Sequence, residues 1–156
     1  MANFAKVTLS SSGPSIPQGV GFSIGILGQV VSFVSGTVNG GTGFNRTFAQ
    51  VHSGEYGQID TQSNVNNLVS AIRQYLIDIG EVRYDVIGTF TRDGFGYPNS
   101  MSVFITANVY SYDLNFSSIA VTNGENKGVF ATINAVNVPP LVARAIVTNV
   151  VCFGSN

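Results

Sequence analysis

Gly21-Phe22-Ser23-Ile24-Gly25 has the G-x-S-x-G spacing that, on a sharp strand-to-helix turn, exposes a nucleophilic serine. Such a serine needs an acid and then a histidine later in the chain, to orient the base and take the proton. The single histidine is His52 and the first acid anywhere is Glu55, so that order is missing. Val20, Phe22, Ile24 and Ile26 alternate with small residues, a period of two that predicts a strand and no elbow. The glycines then let a neighbouring backbone or ring pack closely. Cys152 with His52 is the other nucleophile–base pair to weigh. Cys152 lies in an apolar run near the end of the chain, where a free cysteine acts as a small hydrophobe, and His52 sits in a loop-like stretch. No catalytic residue is assigned, and the chain reads as a non-enzyme.

The most site-like feature is the aromatic loop around Phe95-Gly96-Tyr97-Pro98-Asn99, next to Asp93. Asp93, Phe95, Tyr97 and Asn99 on a breaker-rich loop offer a ring to stack on a sugar and polar atoms to bond it. The plainer reading tucks Phe95 and Tyr97 back over the core as a cap. Metal chemistry finds no donors: one histidine, one cysteine and no clustered carboxylates leave no ligand set, and no cofactor is expected. Asn39-Gly40-Gly41-Thr42-Gly43 lacks the Gly-Lys-Ser/Thr ending of a phosphate loop. Seven scattered basic residues against eight acids argue against a nucleic-acid partner, which wants a basic groove.

Those residues need elements to hold them. Short strands are expected at 7–9, 20–26 and 30–38, with Leu27-Gly28-Gln29 as a tight connection. A glycine-rich loop follows at 39–43, then a strand over 44–51 and a loop over 52–57. Val65, Leu68, Val69, Ile72, Tyr75, Leu76 and Ile79 recur at steps of three and one, the stripe of an amphipathic helix over 63–79. Thr61 or Ser63 suits its start, and Gly80 its left-handed end. The period then becomes two, with Val82, Tyr84, Val86, Gly88 and Phe90 on one strand face. Further strands are expected at 101–112 and 117–122, then 129–138 after a hairpin loop at 123–128. A last strand at 141–153 is apolar on both faces apart from Arg144, Thr148 and Asn149. One helix among seven to nine strands predicts a single domain over 1–156, mostly β or α+β, an antiparallel sandwich or barrel carrying the helix.

Composition frames the function. Of the 156 residues only 10% are charged, against about 25% in an ordinary domain, while 44% are hydrophobic and mean hydropathy is +0.27. No charge occurs between Lys6 and Arg46, although this stretch holds Val20, Phe22, Ile24, Ile26, Leu27, Val30, Val31, Phe33, Val34 and Val38. Strands apolar on both faces are satisfied when the second face is buried against other subunits. The start of the sequence shows no signal peptide. The expected function is therefore a non-enzymatic structural subunit of a homo-oligomer, such as a viral or phage coat, tail or fibre protein. It would act in a virion or outside the cell, with the uncharged N-terminal half making the contacts. One alternative is a lectin-like module binding a glycan through the 92–99 loop. Another is a membrane-inserting hairpin at 19–38, disfavoured because the alternation lapses at Val30-Val31.

Overall fold

A computed structural model describes residues 4–51, 61–96 and 98–137. Apolar residues at every second position build the first strand, β1 (Lys6–Ser11), which buries Val7, Leu9 and Ser11. The next two, β2 (Gly21–Ile26) and β3 (Gln29–Gly36), form a hairpin. Its turn is made by Leu27 and Gly28, both at positive φ (52° and 80°), as a type I′ connection requires. Where a glycine-rich loop is expected, Gly40–Thr42 is a short strand, β4, paired antiparallel with β5 (Asn45–Ala49). The chain thus passes the slot next to β3, forms β4, and returns to fill that slot with β5. This makes β3 and β5 parallel, the one departure from the antiparallel expectation.

The helix α1 (Thr61–Asp78) buries the predicted stripe from Val65 to Leu76. Ile79 is an exception at 43% exposure, because the helix has already ended. Gly80 (φ 71°) donates to the Ile77 carbonyl at 3.0 Å and Glu81 donates to that of Leu76 at 2.9 Å, a Schellman closure. Val82 is also expected in a buried row, yet it precedes β6 (Tyr84–Arg92) and is 82% exposed. The partner strand β7 (Pro98–Ala107) stops short of residue 112, where a 3-10 turn at Tyr112–Leu114 begins. The last described strands are β8 (Ile119–Thr122) and β9 (Val129–Ala135). They are not a hairpin within one sheet, because β8 pairs with β2 and β9 with β1. The strand expected at 141–153 and the loop at 52–57 lie outside the described residues.

Two sheets result, ordered β6-β7-β1-β9 and β4-β5-β3-β2-β8. Where β8 adjoins β9 the sheets are joined by the 123–128 loop; on the far side α1 lies against β5 of one sheet and β6 and β7 of the other. This is a mostly β, α+β fold with its single described helix packed on the sheets. One hydrophobic core fills the space between them, and Phe33 meets Tyr75 of the helix edge-on with ring centroids 6.1 Å apart. That core takes in Val20, Phe22, Ile24, Ile26, Val31 and Phe33, all at 2% exposure or less. Most of the apolar residues expected at subunit contacts are therefore interior to one chain. Val30 and Val38 are the large ones left exposed.

Buried polar residues are matched by partners far away in sequence. Asn64 donates to the carbonyls of Pro14 and Val51 and accepts from the Val51 amide. Asn137, 1% exposed, accepts from the Ala5 amide at 2.7 Å and donates to the carbonyls of Val109 and Ser111. Arg46, 5% exposed, donates to Asp78 at 2.6 Å and to the Gly43 carbonyl, and lies over the Tyr75 ring. Its guanidinium and Gln74 hold the Asp78 carboxyl below its usual range.

Candidate functional site

Ser23 is held in the middle of β2, half-buried, with Ser32 and Ala120 opposite it on the flanking strands. Both flanking glycines have packing roles. A Cβ on Gly21 would lie 2.4 Å from the Phe33 carbonyl oxygen, and one on Gly25 2.1 Å from Ser117 Oγ. The G-x-S-x-G spacing is thus accounted for by the close approach of β3 at Gly21 and of the segment leading into β8 at Gly25. His52 and Cys152 lie outside the described residues.

The 92–99 loop closes the β6–β7 hairpin, and its polar atoms are engaged in making the turn. Asp93 Oδ1 accepts the Phe95 amide at 2.8 Å, the Asp93 carbonyl accepts that of Gly96, and Arg92 donates to the Gly96 carbonyl. Asn99 Oδ1 accepts from Thr91 Oγ1 at 2.8 Å. Phe95 does not tuck back as a cap; it is 87% exposed. Tyr97 lies outside the described residues, so Asp93, Phe95 and Asn99 can be placed. They stand around one turn, with the ring outward and the oxygens turned to their neighbours. Among the described residues no three histidine, cysteine or acidic side chains group as metal ligands, and no helix is long and apolar enough to cross a membrane.

A different place offers more. Strand β6 is an edge of its sheet, and the geometry says which of its backbone groups point outward. The Asn108 amide donates to the Arg83 carbonyl, whereas that of Ala107, opposite Tyr84, donates away from β6 to Ala5. Backbone direction alternates along an antiparallel pair, so Tyr84, Val86, Gly88 and Phe90 aim their N–H and C=O groups outward. One of these is occupied: Arg73 of α1 donates from Nη2 to the Val86 carbonyl at 2.7 Å. The rest take no partner among the described residues.

Along this edge runs a groove of about 440 Å3. Its helix side is Arg73, Leu76 and Ile77, its strand side Tyr84 to Ile87, and Glu81 closes one end. Ile77 (68% exposed) and Ile87 (57%) flank the edge on its two sides. Tyr84 donates its hydroxyl to the Leu114 carbonyl at 2.6 Å, and burial, with the Glu81 charge, pushes its ionisation upward, so it stays neutral. Arg83 pairs with Glu81 at 2.5 Å and holds that carboxyl below its usual range. Asp85 meets Asn108 Nδ2 at 3.3 Å but pairs with no cation among the described residues. What the groove offers is apolar contact beside a row of backbone donors and acceptors, the requirements for an added strand.

Periodicity passed over these residues because it looks for the buried face. Ile77 and Ile87 are out of phase with their own elements: each is a large apolar residue in a polar row. That is the signal by which they were legible. Comparison with known protein families, with curated proteins and with solved structures gave no match to this chain.

Proposed function

We propose that the chain is a non-enzymatic structural subunit of a homo-oligomeric assembly, of the kind that forms a virion coat, tail or fibre. The observation that carries this reading is the edge of β6, whose outward groups at Tyr84, Gly88 and Phe90 take no partner among the described residues. Natural sheets blunt such an edge with short strands, lysines, prolines or a covering element, since it templates pairing with another chain. Here the edge strand is nine residues long, Arg73 meets one of its outward carbonyls, and Ile77 and Ile87 stand beside it. The low charge of the whole chain supports the same reading, because little opposes association. Sedimentation equilibrium at micromolar concentration tests it. The native chain is expected as a multiple of 16.4 kDa, and Ile77→Lys or Ile87→Lys is expected to shift the mass towards one subunit. Both positions are exposed, so the substitutions spare the core. A native chain that stays at 16.4 kDa overturns the proposal.

A second reading rests on Phe95, whose projecting ring is a platform on which a sugar face can stack. A glycan array probed with the native chain and with Phe95→Ala decides it: binding that Phe95→Ala abolishes supports a lectin-like role.

A further inference from the structure

The groove along β6 has a candidate occupant in the chain itself. We infer that it receives the 141–153 segment of a second copy as an added strand, so that each subunit lends its C-terminal arm to a neighbour. This rests on the assembly proposed above and names the contact that makes it.

Chemical fit comes first. The segment Leu141-Val142-Ala143-Arg144-Ala145-Ile146-Val147-Thr148-Asn149-Val150-Val151-Cys152-Phe153 is apolar in both of its alternating rows. A strand of that pattern belongs where both faces are covered. The β6 edge supplies apolar contact to both rows: Leu76 and Ile77 of the helix lie over one, and Ile87 stands beside the other. It also supplies the outward amides and carbonyls of Tyr84, Gly88 and Phe90 for a ladder. The only charged side chain in the segment is Arg144.

The position of the end of β9 favours a neighbour's arm. Asn137 is pinned at the end of β9 by its bonds to Ala5, Val109 and Ser111. Ala135 lies across from Lys6, Lys6 from Thr106, and Thr106 from Asp85, so β9 ends level with the start of β6 but three strands away. A strand beyond β6 is a fourth step away, about 19 Å at the usual spacing of neighbouring strands. An extended chain covers about 3.3–3.6 Å per residue, so about six residues would be spent on the crossing. Leu141 and Val142 would then be used as a linker in a chain folding back on its own edge. A neighbour whose β9 ends beside the groove spends none of 141–153 on a crossing. Repeated around a ring or along a filament, this head-to-tail contact builds an assembly without any other interface.

The test uses the full chain and its native Cys152. Ile87→Cys is prepared alone and with Cys152→Ser, and each is treated with a short bismaleimide at micromolar protein, then run on a denaturing gel and mapped by peptide mass. The expected result is a covalent ladder of joined chains that needs both cysteines, with the linkage mapped to 87–152. Full-length Ile146→Asp and Val150→Asp, checked for an unchanged melting profile, are expected to sediment at 16.4 kDa. An 87–152 link found within single chains overturns the exchange. A persistent oligomer with no such link overturns the inference and leaves the assembly standing. A native chain that is monomeric removes both.

Discussion

Replacing Gly88 by alanine probes the seam where α1 crosses the sheet, and its effect can be worked out beforehand. A Cβ at this position falls 2.2 Å from Val65 Cγ1 and 2.8 Å from Val69 Cγ2, whereas Val103 Cγ2 stands at an ordinary 3.7 Å. Carbon atoms settle at about 3.5–4.0 Å, so the Val65 methyl must retreat by roughly 1.3 Å. It cannot do so by rotating, since a helical valine has essentially one χ1 rotamer. Both valines are buried, at 2% and 6% exposure, so the helix itself has to lift from β6. Overpacking of this kind costs about 1–3 kcal/mol, and two methyl groups in the way place it in the upper half. Alanine restricts the unfolded chain and returns about 0.4–1 kcal/mol, because the native φ here is not positive. A net loss of about 1–2.5 kcal/mol is expected, read from urea unfolding by circular dichroism. The double variant Gly88→Ala with Val65→Ala should be more stable than the sum of the single changes by about 1 kcal/mol, the mark of a shared contact. A neutral or stabilising Gly88→Ala, or strict additivity, would refute this account of the helix–sheet seam.

Ile72 is wholly buried, so Ile72→Ala should lose about 2–5 kcal/mol, while Asn66→Ala on the solvent side should stay within about 0.5 kcal/mol in the same unfolding assay. Asn137→Ala strips partners from the Ala5 amide and the Val109 and Ser111 carbonyls, and a loss of about 2 kcal/mol or more is expected in thermal melts. Asp78, Glu81 and Asp113 all have carboxyls held below their ordinary values: Arg46 lowers the first, Arg83 the second, and Ser111 and then Arg83 the third. The unfolded chain therefore binds more protons in acid. Their stabilisation is fully present above the ordinary values of 3.8 and 4.5 and is lost as pH falls through the lower folded ones. Asp78→Asn should lower stability at pH 7, where it leaves the buried Arg46 without its counter-charge, and should flatten the decline between pH 5 and 3. Parallel curves for the two proteins over that range would contradict it.

Local rules were enough for the parts of this fold that repeat locally. The α1 stripe shows because six of its seven positions face one core, and the β2–β3 hairpin because its two strands are neighbours in sequence. What stayed hidden depends on distance along the chain. The parallel pairing of β3 with β5 follows from β4 lying outside β5, and Gly40-Gly41-Thr42 carries no side-chain pattern to announce it. The burial of Arg46, Asn64 and Asn137 leaves no local trace, because groups that satisfy them come from 32, 50 and 132 positions away. The 92–99 segment was legible as a loop, but the use of its oxygens within the turn was not. The groove was indicated only by two isoleucines in the wrong row.

The joint between the two sheets is made differently on its two sides: by continuous chain where β8 leads to β9, and by the packed face of α1 between β5 and β6. Neither sheet can therefore shed water from its inner face alone. Lifting the helix wets both at once, and the loop at the other side holds the sheets in register until the helix returns. Cooperativity is thus built in through a single clasp. Amides at the centre of β2 and of β7, in different sheets, should exchange their hydrogens with solvent through one and the same opening, with one free energy.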